Sequence, residues 1–240
     1  MSVEAAAAGP ARRAELAANL AAARDRIAAA CAAAGRTTDE VTLVAVTKTF
    51  PASDVRLLVG LGQHDIGENR DAEASVKAAE LTDLPVRWHF VGQLQRNKAN
   101  SVVRYADLVH SVDRRPLVEA LAGAAARHRD HPLDVLLQVR LDDAEGRGGV
   151  PVGELPALVD DVLGHEELRL RGLMAVAPLG ADPDPAFAVL AERAEWLRGV
   201  VPTATIVSAG MTGDLEAAVR HGATHVRVGR GLLGTRAKLG

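Results

Sequence analysis

Residues 41–51 read VTLVAVTKTFP, a near-continuous apolar and β-branched run that ends on a lysine and is stopped by a proline. Apolar residues without alternation mark a strand buried on both faces, the signature of a parallel sheet covered by helices. Lys48 therefore stands where a buried strand gives out, and two readings of it are open. It is a surface charge at the strand end, or it is an amine held partly desolvated, with a depressed pKa, as a nucleophile toward a carbonyl. The chain meets most of its need for cations with arginine: among 28 Lys and Arg residues the only lysines are Lys48, Lys77, Lys98 and Lys238. Where lysine is retained against that habit the amine itself is implicated, because guanidinium is not deprotonated at ordinary pH.

Outward from this strand the same alternation repeats. On the N-terminal side, residues 1–10 are small and expected to be disordered, and 11–34 form a long alanine-rich helix with Leu16, Leu20, Ile27 and Cys31 near helical spacing and Gly35 as its stop. On the C-terminal side a helix from Pro51 to Gly60 leads to a strand at 64–66 ending in Gly67-Glu68-Asn69, and a helix follows over 71–81. Strands are expected at 86–92, 107–112, 133–141, 168–174, 205–207 and 224–228, each with a helix behind it (95–103, 116–128, 152–163, 185–198, 214–221 and a short last one after Gly229-Arg-Gly). Eight strands each followed by a helix make a (β/α)8 TIM barrel with an extra N-terminal helix, and no linker divides 11–240, which reads as a single domain. An open doubly wound sheet is the competing architecture; it calls for an early G-x-G-x-x-G turn, and the chain has none.

Composition narrows the function classes. Net charge is −3 and the pI about 6.2, with both signs mixed along the chain, so nothing prepares a surface for nucleic acid. The 240 residues are 48% hydrophobic but only 2% aromatic, so the core is built from Ala, Val and Leu. Cys31 as the single cysteine excludes an internal disulfide and a cysteine-rich metal site, and with no export signal or membrane span in view a cytoplasmic location is expected. The histidines show no metal-ligand spacing, so no metal site is expected. His110 and His225 read as structural, His89 as either core or pocket, and Glu68 as either an orienting partner of Asn69 or a solvated charge. Asp142, Asp143 and Glu145 read as solvated charges of a glycine-rich loop.

Barrels work at the C-terminal ends of their strands and commonly hold phosphate on the loops after strands seven and eight. Ser208, Gly210 and Thr212 occupy the first of those loops and Gly229 and Gly231 the second; glycines let backbone N–H groups approach an anion, although the same glycines also serve as plain βα turns. Lys48, Asn69, Met174 and Arg227 fall near the same end. A lysine across from a phosphate cradle suits a phosphorylated aldehyde, with pyridoxal 5'-phosphate (PLP) first and a phosphosugar second.

Six ordered motifs carry a resemblance along nearly the whole chain: AVTKTFP around Lys48, IGENR at 66–70, WHFVGQLQRNK at 88–98, RGLMAV at 171–176, SAGMTGDLEAAV at 208–219 and VRVGRGLLG at 226–234. In these the sequence resembles the pyridoxal phosphate homeostasis proteins, alanine racemase N-terminal-domain-like barrels without the racemase's second domain. The resemblance implies that Lys48 carries PLP as a Schiff base, that the Ser208 and Gly229 loops bind its phosphate, that Asn69 lines the ring pocket and that Arg227 meets the pyridine nitrogen. Because arginine donates and cannot accept, that last pairing keeps the ring unprotonated and a weak electron sink. The chain departs from the family pattern at Arg230, where a small hydroxyl residue is common beside the phosphate, at Arg70 in place of a tyrosine, and at Thr212 in place of a serine.

The expected function is a non-catalytic PLP-binding protein of intracellular PLP homeostasis, monomeric, with PLP-dependent apoenzymes as possible recipients. The alternatives are a PLP-dependent amino-acid racemase or decarboxylase and a phosphosugar-binding barrel enzyme. A two-base racemase needs a second proton-transfer group, usually tyrosine, and the single Tyr105 precedes strand four at the N-terminal end of the barrel; Cys31 is embedded in the first helix.

Overall fold

The computed structural model of the chain describes residues 3–142 and 148–234. Eight strands follow one another in a closed, all-parallel sheet: β1 (Thr42–Val46), β2 (Asp65–Glu68), β3 (Arg87–Phe90), β4 (Leu108–Val112), β5 (Leu133–Arg140), β6 (Leu168–Met174), β7 (Ile206–Ser208) and β8 (His225–Val228). Each pairs with its neighbours in chain order, β8 closes onto β1 through Leu43↔Val226 and Ala45↔Val228, and a two-residue stub, Val150–Pro151, pairs in parallel beside the end of β5. The strands are short and polar residues interrupt several of them, yet β2 and β4 are buried at every position. Burial on both faces follows from helices outside and a filled barrel inside.

The covering helices are α2 (Ala52–Val59), α3 (Asp71–Glu80), α4 (Ala99–Val102), α5 (Arg115–His128), α6 (Leu155–Leu163), α7 (Asp184–Val200), α8 (Leu215–Arg220) and α9 (Arg230–Leu233), all after the N-terminal α1 (Val3–Ala33). Helix α1 begins well before the expected Ala11 and runs through Pro10. The cause is local: residues 5–8 are four alanines, the strongest helix formers. Its buried stripe of Leu16, Leu20, Ala23, Ile27 and Cys31 packs with Val55 and Leu58 of α2 and with Leu215, Leu232 and Leu233, so it seals the barrel beside the β8–β1 seam.

Two boundaries differ from the sequence reading in a way that matters for function. Strand β2 continues through Gly67 to Glu68, and β7 continues through Ser208. In both cases a polar residue that read as loop is drawn into the sheet because the barrel interior supplies it with partners. Asp143, Glu145 and Lys238 lie outside the described residues. No described helix is long and apolar enough to cross a membrane, and no group of three or more His, Cys, Asp or Glu among the described residues forms a metal-binding set.

Candidate functional site

At the C-terminal ends of β1, β2, β6, β7 and β8 the loops enclose a cavity of about 530 Å³. Lys48 enters it from a tight turn, closed by Phe50 N–H donating to Thr47 O at 3.1 Å. Thr49 in that turn has φ of 69°, the only positive value at a non-glycine residue among those described. A β-branched residue in that region is strained and persists only where its surroundings dictate it. Two carboxylates do so here. Glu73 Oε2 accepts the Thr49 N–H at 2.9 Å, and Glu68 Oε1 accepts the Thr47 hydroxyl at 2.6 Å. Lys77 completes the arrangement, its Nζ donating to Glu68 Oε1 at 2.6 Å and to Thr47 O at 2.9 Å, with Glu68 wholly buried and Lys77 7% exposed. Burial, against the bonds from Lys77 and Thr47, holds the Glu68 carboxyl above its usual range. Of the two readings left open for Lys48, the exposed one describes this structure, because Lys48 stands on the turn past the strand, and Lys77 is buried instead.

Asn69 follows β2 and reaches the cavity with Oδ1 buried and unbonded among the described residues. Its backbone lies on Gly92, where a Cβ would come 2.1 Å from Asn69 O, so only glycine admits this approach. Opposite, Thr212, Gly213 and Asp214 after β7 and Gly229 and Arg230 after β8 form the far wall, and Val176 to Ala181 after β6 form an apolar side. Among the described residues three cations line the space, Lys48, Arg227 and Arg230, against one carboxylate, Asp214, whose Oδ1 is occupied by the Met211 N–H at 2.6 Å. A cavity so charged favours an anionic ligand.

Of the residues singled out in the sequence, Lys48, Asn69, Thr212, Arg227, Gly229 and Arg230 thus meet at one cavity. Met174, Ser208 and Gly210 do not line it. Met174 is 1% exposed and packs with Leu108 and Leu136 inside the barrel. Gly210 has φ of 89° and a Cβ there would meet Ala218 Cβ at 2.6 Å, so it shapes the turn onto α8. Ser208 is fully buried in β7 with its hydroxyl already engaged, behind the cavity wall. Tyr105, expected on the wrong face, turns its hydroxyl to Asp71 Oδ1 at 3.4 Å, and burial together with Asp71 holds the phenol protonated.

The profile of the family described as alanine racemase, N-terminal domain, matches residues 17–237. The pyridoxal phosphate homeostasis protein of Mycobacterium tuberculosis is 46% identical over 246 residues, 95% of each chain, and that of Escherichia coli is 36% identical over 228 residues, 92% of this chain and 97% of the other. The chain belongs to the pyridoxal phosphate homeostasis protein family. PipY of Synechococcus elongatus, solved with PLP bound, is 36% identical and superposes with a TM-score of 0.80 over 91% of this chain and all of its own. The alanine racemase of Streptomyces coelicolor, 20% identical at a TM-score of 0.67, shares the fold and extends well beyond it, since the match covers 59% of that chain.

Behind the cavity this member of the pyridoxal phosphate homeostasis family carries a polar chain that sequence reading divided into unrelated pieces. Arg227 is 5% exposed; its Nη1 donates to Ser208 Oγ at 2.6 Å and its Nη2 to Ala175 O at 2.8 Å. An arginine only donates, so the Ser208 hydroxyl accepts from it, which leaves the hydroxyl proton available to His110 Nδ1, 2.9 Å away. His110 therefore carries its proton on Nε2 and donates to His89 Nδ1 at 2.9 Å, and His89 Nε2 donates to Asp65 Oδ1 at 3.0 Å. Asp65 opens β2 at the opposite end of the barrel, where Arg87 Nη2 also reaches it at 2.7 Å. With neutral imidazoles, this order gives the acceptor-only Asp65 carboxylate a donor at one end and the donor-only guanidinium an acceptor at the other. Burial pulls Arg227 down to about 10 and His110 well below the ordinary imidazole value. Replacing Ser208 by alanine strands a buried donor and a buried acceptor at once, and a loss of about 1–3 kcal/mol is expected in urea unfolding.

Proposed function

We propose that this chain is a PLP-binding protein that holds the cofactor through Lys48 Nζ and yields it to other proteins, acting in cytoplasmic PLP homeostasis without catalytic turnover of its own. The carrying observation is the cavity in which a lysine amine, an Asn69 Oδ1 unbonded among the described residues, and two arginines converge. That donor set fits a phosphorylated, hydroxylated pyridine aldehyde. Lys48 takes the aldehyde end; Asn69 Oδ1 accepts a proton from the ring substituents or from its own neighbours at the cavity wall; Thr212, Gly229 and Arg230 take the phosphate; Arg227 offers N–H to the ring nitrogen. When bound, the cofactor supplies an aldehyde carbon that exchanges between amines.

The chain's own residues govern how far that chemistry goes. Arg227 cannot accept a proton, so the ring nitrogen stays unprotonated and carbanion chemistry is poorly supported. No second base faces Lys48 from Tyr105, whose hydroxyl belongs to Asp71 between the outer helices. Lys48 is exposed at the mouth, which leaves its linkage open to attack by an incoming amine and suits release. The relatives' names and the PLP-bound PipY structure support the same reading. All the residues assigned to the ligand come from one chain, which supports a monomer that passes PLP to PLP-dependent apoenzymes.

Borohydride treatment after PLP loading tests it. The expected result is a reduced pyridoxyl group on the peptide containing Lys48, with the visible band and the label both absent from Lys48→Ala. Label on Lys98, or none at saturating PLP, would sink the assignment and return the cavity to a phosphosugar ligand. Exchange of the α-proton of amino acids in deuterated buffer by the loaded protein would restore the racemase or decarboxylase alternative.

A further inference from the structure

Helix α1 presents three polar side chains at seven-residue spacing, Arg12, Asn19 and Arg26. Seven residues are close to two turns, so the three lie in a row on one face, about 10 Å apart, beside the buried Leu16–Leu20–Ile27 stripe. Arg26 donates to a backbone carbonyl of the Thr212 turn at the cavity wall, and Asn19 and Arg12 to carbonyls of α9, the helix that continues from the Gly229 turn. Arg26 Nη2 reaches Thr212 O at 3.1 Å while pairing with Glu216 of α8 at 2.9 Å. Asn19 Nδ2 reaches Leu232 O at 2.9 Å and Arg12 Nη2 reaches Leu233 O at 3.1 Å.

These carbonyls need such partners. Helix α9 is four residues long, so the carbonyls of Leu232 and Leu233 find no donor within it, and a single turn has no stability of its own. The two turns also touch each other, Gly231 N donating to Thr212 Oγ1 at 3.4 Å, so fixing either one steadies both. At its other end the row is tied to the lysine side of the cavity: Arg12 makes a forked contact with Asp54 of α2, with Nη2 to Oδ2 at 2.7 Å, and lies 5.5 Å over the Phe50 ring in the Lys48 turn.

We infer that α1 is the template of the anion subsite, and that Asn19 and Arg26 are positioning residues that set the spacing of the 212–214 and 229–231 turns and thereby the preference for a phosphorylated over a phosphate-free ligand. The inference rests on the proposal that PLP places its phosphate between those turns. None of the three side chains lines the cavity; Arg26 acts through the carbonyl of Thr212, which does, and Asn19 and Arg12 act through carbonyls of the single-turn helix α9 that begins at Arg230.

The test is a comparison of dissociation constants for PLP and for pyridoxal, which offers the same aldehyde and ring without the phosphate. In the unaltered protein PLP binds more tightly by a large ratio. In Asn19→Ala and Arg26→Ala that ratio is expected to fall by about tenfold each, the worth of one well-placed hydrogen bond, with pyridoxal affinity unchanged within about twofold. Arg24→Ala is the control, because Arg24 Nη2 makes a bond of the same kind from the same helix to Gly62 O at 3.2 Å, away from the cavity, and it is expected to leave the ratio alone. If both cradle variants weaken PLP and pyridoxal equally, or if Arg24→Ala lowers the ratio as much, α1 acts only through general stability and the inference is overturned. If the unaltered protein does not distinguish the two ligands at all, the phosphate assignment itself is wrong and the inference goes with it.

Discussion

Replacing Lys77 by alanine is expected to destabilise the protein by about 3–5 kcal/mol, the cost of removing one partner from a buried ion pair. Glu68 is completely buried, Lys77 nearly so, and their 2.6 Å contact sits under the turn that carries Lys48. Taking away the amine leaves the Glu68 carboxyl with the Thr47 hydroxyl as its remaining hydrogen-bond partner among the described residues and leaves Thr47 O without the bond from Nζ. Because Glu68 Oε2 has no partner among the described residues, the carboxyl has no second support to fall back on and must protonate to stay inside. Urea unfolding of Lys77→Ala, Glu68→Ala and the double variant checks this. The double variant is expected to lose clearly less than the sum of the singles, since it removes both charges together. Additive losses would show that the pair contributes no coupling and that the two side chains merely fill space. The variant also bears on function: Thr49 holds a positive φ against its preference, and with Thr47 released the Lys48 amine should label with PLP and borohydride more slowly at equal fold content.

The same pair illustrates what a sequence does and does not disclose. The barrel was legible because its strands are short apolar runs bounded by glycine and proline and each is followed by a helical period, features that act locally. The end of the barrel bearing the site was legible from topology alone, and six of nine expected residues gather at the cavity for that reason. Lys77, in contrast, sits in a helix rich in charge, ASVKAAE, where a lysine ordinarily faces water. Its burial depends on Glu68 being drawn into β2, which the strand reading ended two residues earlier. Ser208 was misplaced by the same error at β7: one residue more of strand turns the hydroxyl from the ligand loop to the barrel interior. The Asp65–His89–His110–Ser208–Arg227 chain joins residues from β2, β3, β4, β7 and β8, and no spacing in sequence reports contacts that exist only because the sheet closes. The lysine habit of the chain covers two lysines in different settings, Lys48 exposed at the cavity and Lys77 buried beneath its turn.

That interior chain also predicts the response to acid. His110 is wholly buried and His225 lies beside it with ring centroids 6.4 Å apart; burial first, and the neighbouring His89 and Arg227 next, hold His110 well below the ordinary imidazole value and His225 down at about 4. In the unfolded chain both take a proton as pH falls through about 6.5, whereas in the folded barrel they stay neutral. Stability contributed by the two is therefore full above that value and is lost as pH falls, at about 1.4 kcal/mol per pH unit for each, or nearly 3 kcal/mol per unit together below pH 5.5. Asp65 continues the trend at lower pH. Despite its burial, the bonds from His89 and Arg87 hold its carboxyl below the usual range, so its contribution is lost once protonation sets in beneath pH 4. Unfolding free energies measured in urea at pH 7.5, 6.0 and 5.0 should fall along this steepening slope. His225→Asn removes one of the two titrations and should flatten it by about 1.4 kcal/mol per unit below pH 5.5, with little change at pH 7.5 beyond the loss of the 3.0 Å contact with Thr224 Oγ1. A flat profile between pH 7.5 and 5.0, or one that His225→Asn leaves equally steep, would mean that water or a counter-charge reaches the barrel interior and that the histidines titrate there as they do in solution.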